Sequence, residues 1–131
     1  MFYSYELAVT AAHTASNKKE VEMDLTAGII HQVDVLFPDD CDHNIRVQVY
    51  DASFQLWPSN RNGTIRGDAT VISFRDFYEL KSDNNILTAY AWWEDTSTAQ
   101  SVFVQIGLLP RAIMQPFSLA ELLRAVQKGG Y

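Results

Sequence analysis

Hydrophobic and polar positions alternate along most of this chain, the period that sends successive side chains to opposite faces of a sheet. Val21, Met23 and Leu25 alternate with Glu20, Glu22 and Asp24, which predicts a strand with one buried and one solvated face. Tyr3, Tyr5, Leu7 and Val9 repeat the pattern against Ser4, Glu6 and Thr10. Ile29, His31, Val33, Val35 and Phe37 form one face opposite Gln32 and Asp34 until Pro38 stops the ladder. Ile45, Val47 and Val49 alternate with Arg46, Gln48 and Tyr50. Further strands are expected at Phe54 to Trp57, Thr70 to Phe74, Ile86 to Trp93 and Ser101 to Leu108, with Phe77 to Leu80 able to pair at an edge. Asn62-Gly63 suits the positive φ angles of a tight hairpin turn. The turn also accounts for the Asn62-Gly63-Thr64 sequon. Seven or eight strands at roughly ten-residue spacing, with no βαβ alternation, predict an all-β fold. The architecture expected is an antiparallel, jelly-roll-like β-sandwich.

After Pro110 the period changes. Ser118-Leu119-Ala120-Glu121 is a capping box, and Phe117 with Leu122 has the spacing of a hydrophobic staple. Leu119, Leu122, Leu123 and Val126 then fall at i, i+3, i+4 and i+7, the apolar stripe of a helix of about ten residues that ends at Gly129-Gly130. So short a helix is marginal in water unless the stripe docks. The chain therefore divides into a sandwich domain over 1–110 and a linker with a C-terminal helical arm over 111–131, which could dock on its own sandwich or on a neighbour. Leu119, Leu122, Leu123, Val126 and Phe117 are the candidate interface residues.

Composition narrows the function classes. Among 131 residues, 10 Lys and Arg stand against 16 Asp and Glu, a formal charge of −6, with the basic residues scattered singly. That lacks the basic stripe a phosphate backbone requires, so nucleic acid is not an expected partner. No window approaches the 18 apolar residues of a membrane helix, and Met1 to Thr10 lacks the basic and apolar regions of a signal peptide. The single cysteine, Cys41, excludes an internal disulfide. The charge is uneven: the last 21 residues carry three basic residues and one acidic, so a mildly basic arm follows an acidic sandwich.

Candidate chemistry is sparse. Asp39-Asp40-Cys41-Asp42-His43-Asn44 gathers carboxylates, a thiol and an imidazole between two strands. Asp39, Asp40 and Asp42 could hold calcium, or Cys41 and His43 a soft metal, but neither set completes a cage, and Asp and Asn also build turns. A plain turn is the expected role. His31 sits among Ile29, Val33 and Val35 on the expected core face, with Asp34 on the other, so the two do not form an acid–base pair. Cys41 with His43 or His13 could pair as nucleophile and base only through the fold, and a small inert thiol is expected instead. There is no Gly-x-Ser-x-Gly elbow and no glycine-rich phosphate loop. An enzyme, a cofactor and a resident metal are therefore not expected.

The sixteen aromatic residues are the marked excess. Trp92 and Trp93 are adjacent on a strand and must face opposite ways, so one of them lies outside the core unless both faces are covered. Trp57 with Trp92 or Trp93 could form a platform for sugar rings. Aromatic residues of this kind also form the centre of a protein interface.

Three runs carry a resemblance: Val21-Glu22-Met23-Asp24-Leu25-Thr26 followed by Gly28-Ile29-Ile30-His31, then Gln55-Leu56-Trp57-Pro58-Ser59-Asn60, and Val104-Gln105-Ile106-Gly107-Leu108-Leu109-Pro110. Together they resemble a family of small proteins encoded among the head and tail structural genes of tailed bacteriophages, over residues 2 to 110. The resemblance implies a non-enzymatic virion component, a capsid decoration or cement protein or a head–tail connector subunit. Such a component is made in the host cytoplasm and acts as a homo-oligomer bound to other virion structural proteins. The alternative is a carbohydrate-binding β-sandwich module involved in host recognition.

Overall fold

A computed structural model describes residues 1–95 and 99–110. Among them the chain forms nine strands and no helix: β1 Phe2–Val9, β2 Lys19–Asp24, β3 Gly28–Phe37, β4 Ile45–Asp51, β5 Phe54–Trp57, β6 Thr70–Phe74, β7 Tyr78–Leu80, β8 Ile86–Trp93 and β9 Gln100–Leu109. The expected C-terminal helix, with Phe117, Leu119, Leu122, Leu123 and Val126, lies outside the described residues.

All pairings are antiparallel and make two sheets, one in the order β1-β9-β3-β6 and the other in the order β2-β8-β4-β5. One more strand appears than the alternation predicts because β3 is long enough to serve two short partners. Its Val33–Phe37 half pairs with β6 and its Gly28–Ile30 end pairs with β7, which is the edge segment expected near Phe77 to Leu80.

The core follows from the alternation. Leu7, Val33, Val35, Val102, Val104, Ile106 and Leu108 of the first sheet and Met23, Ile45, Val47, Val49, Leu87, Ala89 and Ala91 of the second are all fully buried, and they belong to one apolar cluster. Burying a Val, Leu or Ile side chain is worth about 1.5–3 kcal/mol, against about 1 kcal/mol net for a hydrogen bond. This shared interior is therefore what holds the two sheets together.

Two local expectations are corrected. The β3–β9 register shifts between Ile30 and Gln32, a bulge that inserts His31 as an extra residue. The bulge moves Ile30, not Ile29 and His31, onto the inner face with Val33 and Val35, and leaves His31 half-buried. At Asn62-Gly63 a turn does form, with the Gly63 amide donating to the Asn60 carbonyl at 2.9 Å and Asn62 at φ 66°. It does not join two strands of a hairpin. It lies within the excursion between β5 and β6, which returns Ile65 to the free edge of β4, where Ile65 and Val47 exchange both backbone hydrogen bonds at 2.9 Å.

At Gly28 the backbones of β3 and β9 approach closely. A Cβ there would lie 2.6 Å from the Leu109 carbonyl oxygen and 3.3 Å from Leu108 Cγ. Because the nearer atom is backbone, Gly28→Ala is expected to cost about 1–3 kcal/mol by forcing the strands apart. The check is a lower urea midpoint at an unchanged slope; an unchanged midpoint contradicts the close approach.

Candidate functional site

The three tryptophans do not form a platform. Trp57, Trp92 and Trp93 are 3%, 4% and 3% exposed. Trp57 ends β5 facing inward, with its ring edge-on to Phe74 of β6 at 5.7 Å and to Tyr78 of β7 at 6.5 Å, and its Nε1 donates to Asp76 Oδ2 at 2.8 Å. It thus bridges the open edges of the two sheets. Trp93 belongs to the core cluster. Trp92 does face outward from β8, as alternation requires, but the outer face is covered there. The Lys18 ammonium lies 4.3 Å from its ring centroid, and its Nε1 donates to Glu94 Oε1 at 3.2 Å. A stacking surface for sugar needs an open ring face, and none of the three offers one.

The Asp39 to His43 segment is a turn. Asp40, Asp42 and His43 take φ of 65°, 50° and 59°, the left-handed region that Asp, Asn and His tolerate better than most residues. Asp39 Oδ1 accepts from the Asp40 amide at 2.9 Å, and the Asp42 amide donates to Asp68 Oδ1 at 3.3 Å. Among the described residues no three His, Cys, Asp or Glu side chains converge as a metal site. Cys41 is buried, and its Sγ donates to the Gly67 carbonyl at 3.0 Å. Burial pushes its thiol pKa up, and the neighbouring Asp68 carboxylate adds to the rise, so the thiolate is disfavoured. His13 sits elsewhere, its Nδ1 accepting from the Thr10 amide at 2.9 Å.

Two surfaces stand out. On the outer face of the first sheet, Phe103 of β9 pairs with Leu36 of β3, which pairs with Val71 of β6, so one row across three strands is apolar. Phe103 and Val71 are 37% and 51% exposed, and Phe2, on the same face of β1, is 64% exposed. The adjacent row is polar and self-satisfied: Ser73 donates to Asp34 Oδ1 at 2.5 Å and Gln105 to Ser4 at 3.4 Å.

The second surface is a cleft of about 510 Å³ on the outer face of the other sheet, lined among others by Lys18, Arg46, Gln48, Trp92, Arg66 and Glu94. The return of Ile65 to the β4 edge builds its wall, placing Thr64 and Arg66 beside the outward-facing Arg46 and Gln48. Gln55, nearly buried on β5, fixes that wall. Its Nε2 donates to the Pro58 carbonyl at 2.8 Å and its Oε1 accepts from the Asn62 amide at 3.1 Å. Gln48, 4% exposed, donates through Nε2 to the Gly63 carbonyl at 2.8 Å. Sequence reasoning places Arg46 and Gln48 on the polar face of a strand but gives no sign of the loop beside them.

The sheets are also tied by polar links. The Tyr78 hydroxyl on β7 donates to Asp51 at the end of β4. Burial first, then that hydrogen bond and the charges of Asp51 and Asp76, push the Tyr78 pKa up to about 12. An unfolded tyrosine titrates near 10. The native state therefore holds this proton more tightly, and the stability this contributes is present below pH 10 and lost as pH rises through 12. Titration at the phenolate absorbance is expected to show a component near 12, which Tyr78→Phe removes together with part of the alkaline loss of stability. An unchanged titration in the variant contradicts the assignment.

The chain matches no family model, no curated protein and no solved structure.

Proposed function

We propose that this chain is a non-enzymatic structural subunit of a tailed-phage virion, a capsid decoration or cement protein or a head–tail connector, that works by binding copies of itself and neighbouring virion proteins. The observation that carries the reading is the apolar row of Phe103, half-buried Leu36 and Val71 across three strands on the outside of a sheet. The outer face of an antiparallel sheet is ordinarily polar. A grouped set of large apolar residues there is the composition of a protein contact. The strand order supports the architecture such subunits use. With β6 and β7 taken as two pieces of one position beside β3, the orders β1-β9-β3-β6 and β2-β8-β4-β5 are those of an eight-stranded jelly roll, a fold found in viral capsid and lectin domains.

The arm over 111–131 supplies the second contact in this reading, its apolar stripe buried on a neighbouring subunit or on its own sandwich. The mild positive charge of the arm matches the acidic sandwich. A carbohydrate module that stacks sugars on Trp57, Trp92 and Trp93 is not favoured, because these rings are buried. Mass spectrometry of gradient-purified particles from a phage that encodes this chain tests the proposal. The chain is expected in many copies per particle; its absence from particles overturns the reading.

A further inference from the structure

We infer that the cleft on the outer face of the β2-β8-β4-β5 sheet binds an acidic saccharide, a polyhydroxylated ligand carrying a carboxylate or phosphate. This goes beyond the assembly reading and stands without it. Three features of the cleft point to such a ligand.

The first is charge. Lys18, Arg46 and Arg66 line the cleft against one carboxylate, Glu94, so a chain of net charge −6 places a local basic excess inside a concavity. Glu94 is engaged by the Trp92 indole at 3.2 Å, and Lys18 lies over the Trp92 ring. Arg46 Nη1 reaches Thr64 Oγ1 only at 3.4 Å, and among the described residues no carboxylate pairs with it. An anion is the complement, and an arginine takes a carboxylate or phosphate through charge-assisted bonds.

The second is unspent hydrogen-bonding capacity. Gln48 Oε1, on a side chain 4% exposed, and Arg46 Nε are buried atoms with no partner among the described residues. One accepts and the other donates, on neighbouring outward positions of β4. A sugar hydroxyl both donates and accepts, so a hydroxyl beside an acidic group satisfies both atoms at once. Lys18, held over the Trp92 ring at 4.3 Å, lines the same cleft and adds a further cation for the acidic group. An apolar ligand would leave both atoms unpaired, at a cost no contact with this polar lining offsets.

The third is extent. The cleft volume of about 510 Å³ is ample for a monosaccharide. A second polar cleft of about 320 Å³, which shares Tyr50 and Asn62 with it, adjoins it.

The test follows backbone amide NMR shifts of the full chain as methyl glucuronide, glucose 6-phosphate, methyl glucoside and inorganic phosphate are added at millimolar concentration. Both acidic sugars are expected to shift amides of β4, the 62–66 loop and Trp92. The tighter of the two identifies the source as a uronate-type or a phosphorylated glycan. Methyl glucoside and inorganic phosphate are each expected to bind about tenfold more weakly or worse, the factor one charge-assisted hydrogen bond supplies. Arg46→Gln is expected to weaken the acidic sugars by about tenfold. The exposed Arg66→Gln, whose fold is secure, is expected to weaken them in the same direction. No shift in the cleft with either acidic sugar, equal binding of the neutral glycoside or of phosphate, or wild-type affinity in both variants overturns the inference.

Discussion

Trp57→Ala is expected to lower the stability of the folded chain by about 3–5 kcal/mol, the range for removing a buried aromatic side chain. Domains of this size are stable by about 5–15 kcal/mol, so the loss is a large fraction of the whole and lowers Tm by about 10–20 °C. The reason is position as much as size. Trp57 is the residue at which the β5 edge of one sheet meets β6 and β7 of the other, against Phe74 and Tyr78. Its loss opens a cavity at a seam that no backbone ladder closes. Trp57→Phe separates the two parts of the effect. It keeps most of the apolar contact but leaves half-buried Asp76 without the indole donor it holds at 2.8 Å, an expected cost of about 1–3 kcal/mol. Thermal melts of the two variants check the order. A Trp57→Ala melt close to wild type contradicts the role of this ring as a bridge between the sheets.

The second large effect concerns assembly. Replacing Leu122 and Leu123 together with Asp is expected to abolish self-association and leave the sheets folded. Each leucine is worth about 1.5–3 kcal/mol when buried, and two lost together weaken a contact by about 100-fold to 10,000-fold before the cost of burying carboxylates is added. The nine strands end at Leu109, so the far-ultraviolet signature of the sheets is expected to survive. Self-association at the wild-type level in the double variant removes the arm as a joint. The apolar row at Phe103 and Val71 then becomes the contact to alter next.

Alternation carried most of the fold because most strands have one face buried and one wet. Thr70–Phe74, Ile86–Trp93 and Phe54–Trp57 lie where their patterns and bounding turns put them. The failures have physical causes. At Ile29 to Val33 a bulge changes the phase by one residue, and nothing in Ile29-Ile30-His31 marks which of the three is the extra one. Opposite faces for Trp92 and Trp93 follow from adjacency, but burial of both does not. That depends on Lys18, far from Trp92 in the sequence, lying over the outer ring. The cleft was legible only as polar positions on β4. Its wall exists because Ile65 pairs with Val47 across a loop, a long-range contact with no local signature.

Sedimentation equilibrium of the purified chain across a wide concentration range tests the assembly account most directly. The account predicts a species whose mass is two or more times 14.8 kDa. A monomer of 14.8 kDa that persists to the highest concentration contradicts it.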